Sequence, residues 1–589
     1  MTTKKQNNQN FNKIWKVLDK VEVVDEGFSK KYSQYDIVIL QMLYNRKITS
    51  EKAINNFFCD DYSELNHDPF LFDQMDDAVE LVIKHIKLQN KIVIYGDYDA
   101  DGVTSSALLV DILNILKAKT GVYIPDRVGE GYGLNEKALK NIYNNDAKLV
   151  ITVDGGIRGK KEVEYAKSIG LDIIITDHHV PSDNKEDYPD CLIINPAMPD
   201  EDYPYKKLAG VGVAFKLASA LIEKSKLTDD DKNKLKNSIL DLVAIGTIAD
   251  CVELRDENRI LVKSGLKIIN KAQRSGINEL IKIAGINNNK KIQAWNIGFQ
   301  IGPRLNAAGR IDHANTAYNL LVSKNLEELK KISKELNEKN ELRQKITKEI
   351  IEKVEKQINK KDKIIIGICP DEDKAWSEGV VGLVAGRITS KYYRPALVLT
   401  KTVDGYKGSG RSIDEFNLIK AIEKCGDELE KFGGHPAACG FSLKKENLKN
   451  FCNKIKKITE NKLNSADLFP KIQIERELKI EDVDISLIKK INKFEPFGQK
   501  NSKPVFVSYK AVISDIVFMG IEGNHIKLLL SNSLSFPPIQ AIGFGQAEKW
   551  QDLKINDTID IAYTIDINNF NGNSEAQLKI IDIKCNIIN

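Results

Sequence analysis

The sequence lacks the features that mark membrane proteins and disulfide-rich secreted proteins. No stretch approaches about 18 apolar residues without a charge, which argues against a membrane span. The N-terminal residues MTTKKQNNQN contain no apolar segment of the kind found in signal peptides. The 8 cysteines include no CxxC pair, which disfavours a zinc knuckle. We therefore expect reduced thiols, no membrane association and a cytoplasmic location.

The chain also lacks a strong excess of charge of either sign. Its 87 basic and 83 acidic residues leave a net charge of only +4, which does not by itself indicate nucleic-acid binding. Hydrophobic residues make up 42% of the 589 residues, enough for cores of ordinary size. A chain of this length predicts several domains, about three or four.

From about residue 75 the sequence alternates short β-branched runs with helical stretches. Such alternation predicts an α/β fold, in which a mostly parallel sheet has helices on both faces. The predicted strands are 91–96, 121–124, 148–153, 171–176 and 191–194. The predicted helices are 103–117, 135–144, 160–169, 211–224 and 233–249.

The remainder of the chain predicts further units. A charged stretch without Gly or Pro, 326–359, predicts a long connecting helix with a solvated face. A second α/β unit is expected over about 362–460, and alternating runs after Phe469 predict a small β-barrel, for which the OB-fold is one candidate. The expected domains are 1–74 (N-terminal helical extension), 75–255 (parallel-sheet domain), 256–361 (helical connector with the long helix), 362–465 (second α/β domain) and 466–589 (OB-like barrel).

Acidic residues and histidines follow three of the predicted strands of the first sheet. Ligands of open α/β sheets bind beyond the carboxyl ends of the strands. Any single Asp at such a place can instead cap the helix that follows. The residues concerned are Asp97, Asp99 and Asp101 after the strand 91–96, Asp154 after 148–153, Asp177, His178 and His179 after 171–176, and Asp250 after an apolar stretch.

Helix capping alone does not account for so many acids at one edge of a sheet. Packed together without a cation, the carboxylates would repel one another and their pKa values would rise. A pair of divalent cations removes that repulsion, activates a water and stabilises the leaving oxygen of a phosphate ester. Mixed carboxylate and imidazole ligands suit Mn²⁺, with Mg²⁺ as the alternative. The residues therefore predict a metal-dependent phosphodiesterase.

Several motifs resemble one family of phosphoesterases. DYDADG, DGG after a strand and DHH are similar to the motifs of the DHH superfamily. Longer segments, DPFLFDQMDDAVE, RVGEGYGLN, IGPRLNAAGRID and FGGHPAACGF, extend the resemblance to the RecJ family over most of the chain. The resemblance implies a DHH domain, a DHH-associated domain and an OB-like nucleic-acid-binding domain. It also implies an exonuclease that degrades single-stranded DNA from the 5′ end to the 3′ end in recombination and repair.

The resemblance also implies roles for individual residues. Asp99 would bind one metal ion, Asp101 the other, and Asp154 would bridge them. His178 and Asp250 would complete the second ion's ligands. Asp97 stays open, either as a ligand or as a neighbour of the ligands. Asp177 and His179 are expected to orient ligands or to contact the scissile phosphate. The expected catalytic residues are Asp99, Asp101, Asp154, His178, His179 and Asp250.

Glycine-rich and arginine-containing segments are candidates for binding the substrate. Glycines let backbone N–H groups approach phosphate, and Arg binds phosphate bidentately. Taken alone, the glycines predict tight turns, and an interdomain salt bridge is the alternative interpretation of Arg127, Arg304 and Arg310. The resemblance implies contacts to the strand or to a 5′ phosphate from Arg127, Arg304, Asn306, Arg310, Ser409, Arg411, Gly433, Gly434 and His435. In the barrel, Tyr509, Phe518 and Phe544 are candidates for base stacking, although we expect them in the core.

Other functions stay open from the sequence. One alternative is a DHH phosphodiesterase acting on short oligonucleotides or cyclic dinucleotides, and another is a non-catalytic replication scaffold of the same fold. The presence of every expected metal ligand disfavours the scaffold. The expected partners are single-stranded DNA, a single-strand-binding protein and a helicase, and the chain is expected to be a monomer.

Overall fold

The computed structural model describes residues 13–127, 129–287, 291–531, 537–570 and 573–585. These residues form two compact units. The smaller unit combines the described residues up to Phe58 with 464–495 and with those after 500, and the larger contains Cys59–Leu463 and Pro496–Lys500. Residues 1–12, which the sequence assigned to an N-terminal extension, lie outside the described residues. The division into five domains stays a prediction.

The larger unit contains a parallel sheet of five strands, as predicted. Neighbouring strands are parallel throughout, so their carboxyl ends lie at one edge of the sheet. Buried residues such as Ile94, Ile151 and Ile174 line the strands, because helices cover both faces. In spatial order the strands are Lys119–Tyr123, Lys91–Tyr95, Ala147–Val153, Asp172–Thr176 and Leu192–Ile194.

Helices connect these strands and extend the unit beyond the sheet. The single helix predicted over 233–249 is wrong, since the chain forms two helices that meet at Ile239. The first of them is charged and has no buried residue, whereas the second is apolar and buried over most of its length. The helices are Tyr62–Leu65, Met75–Lys87, Ala100–Ile115, Glu136–Asn144, Lys160–Ser168, Gly210–Glu223, Asp229–Ser238, Leu240–Ala249, Asp256–Ile269 and Ser275–Ile283.

A helical connector leads to the second sheet. It contains Ala294–Asn296, the π-helical turn Ile297–Ile301, Gly302–Ile311 and Asn315–Val322. The predicted long helix is confirmed as Leu326–Glu355, which we call the linker helix. Its apolar side chains, among them Leu329, Leu336 and Val354, are buried, while most of its charges face solvent.

The second sheet is mixed, with one parallel pair and three antiparallel pairs. The glycine-rich segments expected to be tight turns are strands instead, because backbone hydrogen bonds pair them with each other. In spatial order the strands are Lys431–His435, Ala438–Lys444, Gly405–Arg411, Ala396–Lys401 and Ile365–Ile368. The associated helices are Glu378–Tyr392, Leu418–Glu423 and Leu448–Lys462.

The smaller unit contains the predicted barrel. The strand Phe506–Met519 pairs with strands on both of its sides, which closes the five strands into a ring. In order around the ring they are Phe506–Met519, His525–Ser531, Ile539–Gly543, Asn573–Cys585 and Thr558–Phe570. This closed, mostly antiparallel arrangement is an OB-like barrel.

Two features of the smaller unit were not predicted. Strand Ile14–Val17 pairs in parallel with Lys471–Ile474, so residues from both ends of the chain share one sheet. Helix Ile485–Asn492 lies in a segment that the sequence assigned to strands. The remaining helices of this unit are Val21–Val24, Glu26–Lys31, Ile37–Asn45 and Glu51–Phe58. Among the described residues of the chain, no helix has both the length and the apolar character needed to span a bilayer.

Candidate metal centre and substrate pocket

The acids of the first sheet meet at its carboxyl edge. Asp97 follows the strand Lys91–Tyr95 after one glycine, and Asp154 directly follows Ala147–Val153. Asp177 directly follows Asp172–Thr176, with His178 and His179 after it. Asp250 reaches the same place from the C-terminal end of the helix Leu240–Ala249. The parallel strand order therefore assembles residues that lie far apart in the sequence.

The side-chain atoms at this edge form three overlapping groups of possible metal ligands. Within each group, one ligand atom from every residue lies within 4.8 Å of the others. Asp154 and His178 each belong to two groups, so the three are linked. The groups are Asp97, Asp99 and Asp154; Asp101, His178 and Asp250; and Asp154, His178 and His179.

Asp99 has two functions in the structure. Its Oδ1 accepts the backbone N–H groups of Asp101 and Gly102 at 2.9 and 3.1 Å, so it caps the helix Ala100–Ile115. The sequence predicted that this helix begins at Val103. The cap explains why it begins at Ala100 instead. The capping interpretation is therefore correct for Asp99, yet the same side chain also belongs to a candidate ligand group.

Asp101 is fully buried and contacts the start of a second helix. Its two oxygens accept the backbone N–H groups of Gly210 and Val211, at 2.8 and 2.9 Å. These N–H groups belong to the first turn of the helix Gly210–Glu223, whose dipole favours a negative charge there. A helix that is distant in sequence thus fixes the orientation of this carboxylate.

The electrostatics of the cluster fit bound divalent cations. Burial raises the pKa of Asp97, Asp101 and Asp154 well above the ordinary value, and neighbouring carboxylates raise each of them further. Burial lowers the pKa of His178, which favours the neutral imidazole that binds metals. A divalent cation would remove the repulsion among these carboxylates.

Unsatisfied atoms at the same place support that fit. Asp97 Oδ1, Asp154 Oδ1 and His178 Nε2 are buried and have no hydrogen-bond partner among the described residues. His178 Nε2 lies 3.1 Å from Asp154 Oδ1 and 3.7 Å from Asp250 Oδ2, without hydrogen-bond geometry. Buried polar atoms are costly unless they bind something. All three residues belong to the linked ligand groups, so the donor set fits a metal centre.

Glycines allow the close packing around these carboxylates. A Cβ atom at Gly210 would lie 2.6 Å from Asp154 Oδ1, and one at Gly246 would lie 2.7 Å from Asp101 Oδ1. Asp154 itself has a φ of 58°, a left-handed conformation that costs energy for a residue other than glycine. The helices therefore approach the ligands too closely for any larger residue at these two positions.

Asp177 organises the DHH segment rather than offering ligand atoms. Its Oδ1 accepts the N–H groups of His178 and His179 and lies 2.8 Å from His179 Nδ1, while Oδ2 accepts Ile157 N–H. Burial alone would raise the pKa of Asp177, but the hydrogen bonds from His179 lower it below its ordinary value. The orienting role expected for Asp177 agrees with these contacts.

Tyr132 is a residue of the site that the sequence did not single out. Its hydroxyl lies 3.2 Å from His179 Nδ1 and 3.4 Å from the carbonyl oxygen of Asp154. The RVGEGYGLN segment contains it, five residues after Arg127, and that proximity was the only signal available. Tyr132 therefore borders the cluster beside His179.

Three of the candidate arginines lie near one another. Arg127 places its guanidinium 4.7 Å from the centre of the Tyr98 ring, and Arg310 donates to Gly379 O at 2.9 Å. Arg411 lies beside Ser409, at 3.3 Å from its hydroxyl. Tyr98 packs against Gly309, which precedes Arg310, and Gly382 packs against both Ser409 and Arg411. Burial lowers the pKa of Arg310 to about 10, and the positive charges of Arg127 and Arg343 lower it further. The sequence predicts that these residues bind the end of a strand, and we call the four of them the end pocket: Arg127, Arg310, Ser409 and Arg411.

The alternative interpretations of the arginines and glycines can now be compared with the contacts. Within the described ranges, Arg127, Arg304 and Arg310 form no salt bridge, so the salt-bridge interpretation is wrong for them. Gly433, Gly434 and His435 lie in the exposed strand Lys431–His435, at the border of the second sheet. Their contact with a substrate stays a prediction.

Asn306 and Arg304 make contacts within the protein. Asn306 Oδ1 accepts Ala100 N–H at 2.7 Å, which fixes the loop that carries Asp99. Arg304 donates to Asn337 Oδ1 on the linker helix at 3.0 Å. Asn306, which the sequence assigned to substrate contact, thus supports the loop that carries Asp99.

In the barrel, the expectation of buried aromatics is wrong. Tyr509, Phe518 and Phe544 are 39%, 49% and 57% exposed. The Phe544 ring contacts His525 edge-on, with the ring centres 5.5 Å apart. Alternation along barrel strands places every second side chain outside, which is why strand residues such as Tyr509 and Phe518 can face solvent. All three rings are available to stack with bases.

Family models match most of the chain. The model described as "DHH family, N-terminal domain" matches residues 91–247, "DHHA1 domain" matches 361–461 and "RecJ OB domain" matches 474–582. These three matches coincide with the parallel-sheet region, the mixed sheet and the barrel.

Curated relatives agree with the models. The single-stranded-DNA-specific exonuclease RecJ of Bacillus subtilis is 39% identical over 88% of this chain, and that match spans 64% of the relative, slightly less than two thirds of its length. RecJ of Salmonella typhimurium is 33% identical over 86% of this chain and 90% of the relative. The chain belongs to the RecJ family.

Solved structures of RecJ proteins have the same fold. RecJ of Thermus thermophilus in complex with Mn²⁺ is similar with a TM-score of 0.80 and 25% identity, over 97% of this chain and 79% of that chain. The complex of the same protein with Mg²⁺ has a TM-score of 0.76 and 24% identity, and this match supports the fold alone. An exonuclease RecJ bound to manganese covers 67% of this chain and 98% of its own, at 30% identity and a TM-score of 0.57.

Proposed function

We propose that this RecJ-family chain hydrolyses single-stranded DNA from the 5′ end to the 3′ end with divalent metal ions, in recombination and repair. The single observation that carries the proposal is the set of three linked ligand groups at the carboxyl edge of the first sheet. The names of the relatives, single-stranded-DNA-specific exonucleases, and the Mn²⁺ and Mg²⁺ in solved RecJ structures support the choice of substrate and metal.

The residues suit a pair of ions, which we propose to be Mn²⁺ with Mg²⁺ as the alternative. Asp99 and Asp101 would each bind one ion, with Asp154 between them because it belongs to two of the ligand groups. His178 and Asp250 would join Asp101, since their ligand atoms form one group. Asp97 belongs to one group with Asp99 and Asp154, so it would either bind the first ion or lie beside that ion's ligands. Bound divalent ions supply Lewis acidity toward the phosphoryl oxygens and lower the pKa of water.

The chain's own residues place the scissile phosphate. Asp177 holds His179 at 2.8 Å, so the ring faces the cluster beside Tyr132 and can contact a phosphate oxygen. In the end pocket, Arg127, Arg310 and Arg411 bring three positive charges together, which suits the two negative charges of a 5′ terminal phosphate. Hydrolysis would then begin at the end of the strand, because the pocket fixes the distance between that end and the cluster.

The partners and location follow from the proposed substrate. We propose a single-strand-binding protein and a helicase as partners, since both supply or protect single strands. A monomer in the cytoplasm is the corresponding state of the enzyme. The exposed barrel aromatics Tyr509, Phe518 and Phe544 would bind single-stranded DNA by stacking.

Digestion of end-labelled substrates tests the proposed function. Single-stranded DNA, duplex DNA and RNA, each labelled at the 5′ or the 3′ end, are incubated with the full chain with and without Mn²⁺. We expect early release of the label only from 5′-labelled single-stranded DNA and only with the metal. Early release from the 3′ end, or equal digestion of duplex DNA, would contradict the proposal.

A further inference from the structure

Arginines from several elements of the larger unit form a connected group that extends beyond the end pocket. The group contains the three arginines of the end pocket together with three others. Arg304 lies on the helix Gly302–Ile311, Arg343 on the linker helix and Arg387 on the helix Glu378–Tyr392. We call the set the arginine arc: Arg127, Arg304, Arg310, Arg343, Arg387 and Arg411.

Three helices carry Arg304 and Arg310, Arg343, and Arg387, and these helices pack against one another. Arg304 donates to Asn337 of the linker helix at 3.0 Å, and Arg310 donates to Gly379 of the helix Glu378–Tyr392 at 2.9 Å. A Cβ atom at Gly382 of that last helix would lie 3.2 Å from the Arg411 guanidinium. The helix that carries Arg387 therefore borders the end pocket as well.

The positive charges of neighbouring arginines in the arc repel one another. Arg310 is repelled by Arg127, Arg343 and Arg411, which adds to the effect of burial on its pKa. Burial lowers the pKa of Arg343, and the neighbouring Arg387 and Arg304 lower it further. Arg343 is therefore the member that links the end pocket with Arg304 and Arg387.

Acidic partners do not neutralise the arc. In the described part of the chain, none of its six members forms a salt bridge. Asp99 and Glu341 favour the charges of Arg310 and Arg304 only from beyond salt-bridge distance. Arg343 Nε is buried and has no hydrogen-bond partner among the described residues, while its other end donates to Asn340 at 2.9 Å. Such an unsatisfied cationic group costs free energy unless an anion binds to it.

One terminal phosphate accounts for only half of the arc. Arg127, Arg310 and Arg411 suffice for it, which leaves three further guanidinium groups. We propose that Arg304, Arg343 and Arg387 bind a second phosphate, namely a backbone phosphodiester of the same strand on the 3′ side of the cut. This inference rests on the proposed function, and it adds a second point of attachment that would keep the strand in place after each nucleotide is released.

A stacked pair of aromatic rings near Arg304 favours a nucleotide strand over a free anion. Trp295 and Phe299 are 58% and 70% exposed, and their rings are nearly parallel at 24° with centres 5.5 Å apart. They lie on the helical run that continues directly into the helix of Arg304. Exposed aromatic rings beside basic groups bind single strands, because every base can stack on them.

Binding measurements on charge-neutralised variants test the second phosphate site. The variants are Arg343→Gln and Arg387→Gln, and the control is Lys331→Gln, which removes an exposed charge from the linker helix outside the arc. Each full-length protein is titrated with a 5′-phosphorylated long oligothymidylate, with the matching dinucleotide and with inorganic phosphate. The titrations are done in chelator, so that nothing is cut, and over a range of salt concentrations.

The expected result depends on strand length. For Arg387→Gln, binding of the long strand should weaken about tenfold relative to binding of the dinucleotide, as for the loss of one charge-assisted hydrogen bond. The salt dependence of binding to the long strand should fall by about 0.7 in log–log slope, the value for one phosphate contact on a single strand. Arg343→Gln should have the same effect, and Lys331→Gln should match the wild type.

Other outcomes would overturn the inference. If Arg387→Gln binds the long strand with the affinity and salt slope of Lys331→Gln, the second site does not exist. Because Arg387 is exposed, its variant should fold, and it decides the matter even if Arg343→Gln fails to fold. If Arg387→Gln weakens binding of inorganic phosphate but not of the long strand, the arc binds a free anion and the proposal is wrong. A wild type that neither binds nor cuts single strands would instead contradict the proposed function itself.

Discussion

The carboxylate of Asp101 accepts the backbone N–H of Gly210 at 2.8 Å and that of Val211 at 2.9 Å. Asp101 belongs to the segment after one strand, whereas Gly210 begins a helix that follows all five strands of the sheet. The contact therefore has two effects: it fixes a proposed metal ligand, and it satisfies two N–H groups that the first turn of a helix leaves without partners.

Asp101→Asn should separate these two effects. The amide keeps the shape and one acceptor oxygen, so the fold should be retained, but the ligand charge is lost. We expect Mn²⁺-dependent release of nucleotides to fall below about 1% of wild type, because losing groups that merely orient ligands already costs about 10- to 100-fold. Binding of single-stranded DNA should survive. Asp101→Ala should be equally inactive and less stable by about 1–3 kcal/mol, since it leaves two buried N–H groups unpaired. Wild-type-like cleavage by either variant would rule out Asp101 as a ligand.

Gly210→Ala should disturb Asp154 without changing any charge. The added Cβ would lie 2.6 Å from Asp154 Oδ1, a distance that the packed helix cannot tolerate, so the carboxylate must move. We expect activity to fall about 10- to 100-fold, with weaker Mn²⁺ binding in calorimetry. Gly212→Ala is the matched control on the same helix, because the atoms nearest to its Cβ would belong to the Leu208 side chain, at 3.2 Å and beyond. Equal activities of the two variants would show that the packing around Asp154 is not important.

Asp177→Asn should reduce activity through His179 rather than through the metal. The substitution weakens the contact that orients the His179 ring, although it removes no proposed ligand. We expect the turnover number to fall about 10- to 100-fold while Mn²⁺ affinity changes little. The control is Asp172→Asn at the opposite end of the same strand, where a similar Asp–His pair joins Asp172 to His85 at 3.0 Å. If both variants keep full activity, Asp177 does not position a group that contacts the substrate.

Lys216→Met should destabilise the larger unit. Lys216 and Glu257 are both fully buried and form an ion pair, and the ammonium also donates to Asn66 Oδ1 and His67 O at 2.6 and 2.8 Å. Removing one partner leaves a buried charge, which costs about 3–5 kcal/mol. Urea unfolding followed by circular dichroism measures the loss. Lys224→Met, at the end of the same helix, breaks an exposed ion pair with Asp76 and should change stability by less than about 1 kcal/mol. Equal effects of the two substitutions would refute the argument from burial.

How much of the site was predictable can be judged from particular residues. Asp97, Asp154 and Asp177 were predictable because each follows a β-branched run, and parallel strands bring such positions to one edge. Tyr132 and Arg343 were not predictable from local pattern, since a Tyr in a glycine-rich loop and an Arg among the charges of a long helix have many ordinary functions. The exposure of Tyr509 and Phe518 was predicted wrongly, because alternation along a strand does not specify which face is inside.

The sequence by itself determined the strands of the first sheet, the order of the acids along the chain and the family, because hydrophobic periodicity and local motifs are properties of neighbouring residues. Only the tertiary structure decided that Gly210 and Gly246 must be glycines, that Ile14–Val17 pairs with Lys471–Ile474, and that the helices of Arg304, Arg343 and Arg387 pack together. These features depend on how closely distant helices and strands approach one another. That approach is set by side-chain packing across the whole unit, which no local pattern in the sequence records.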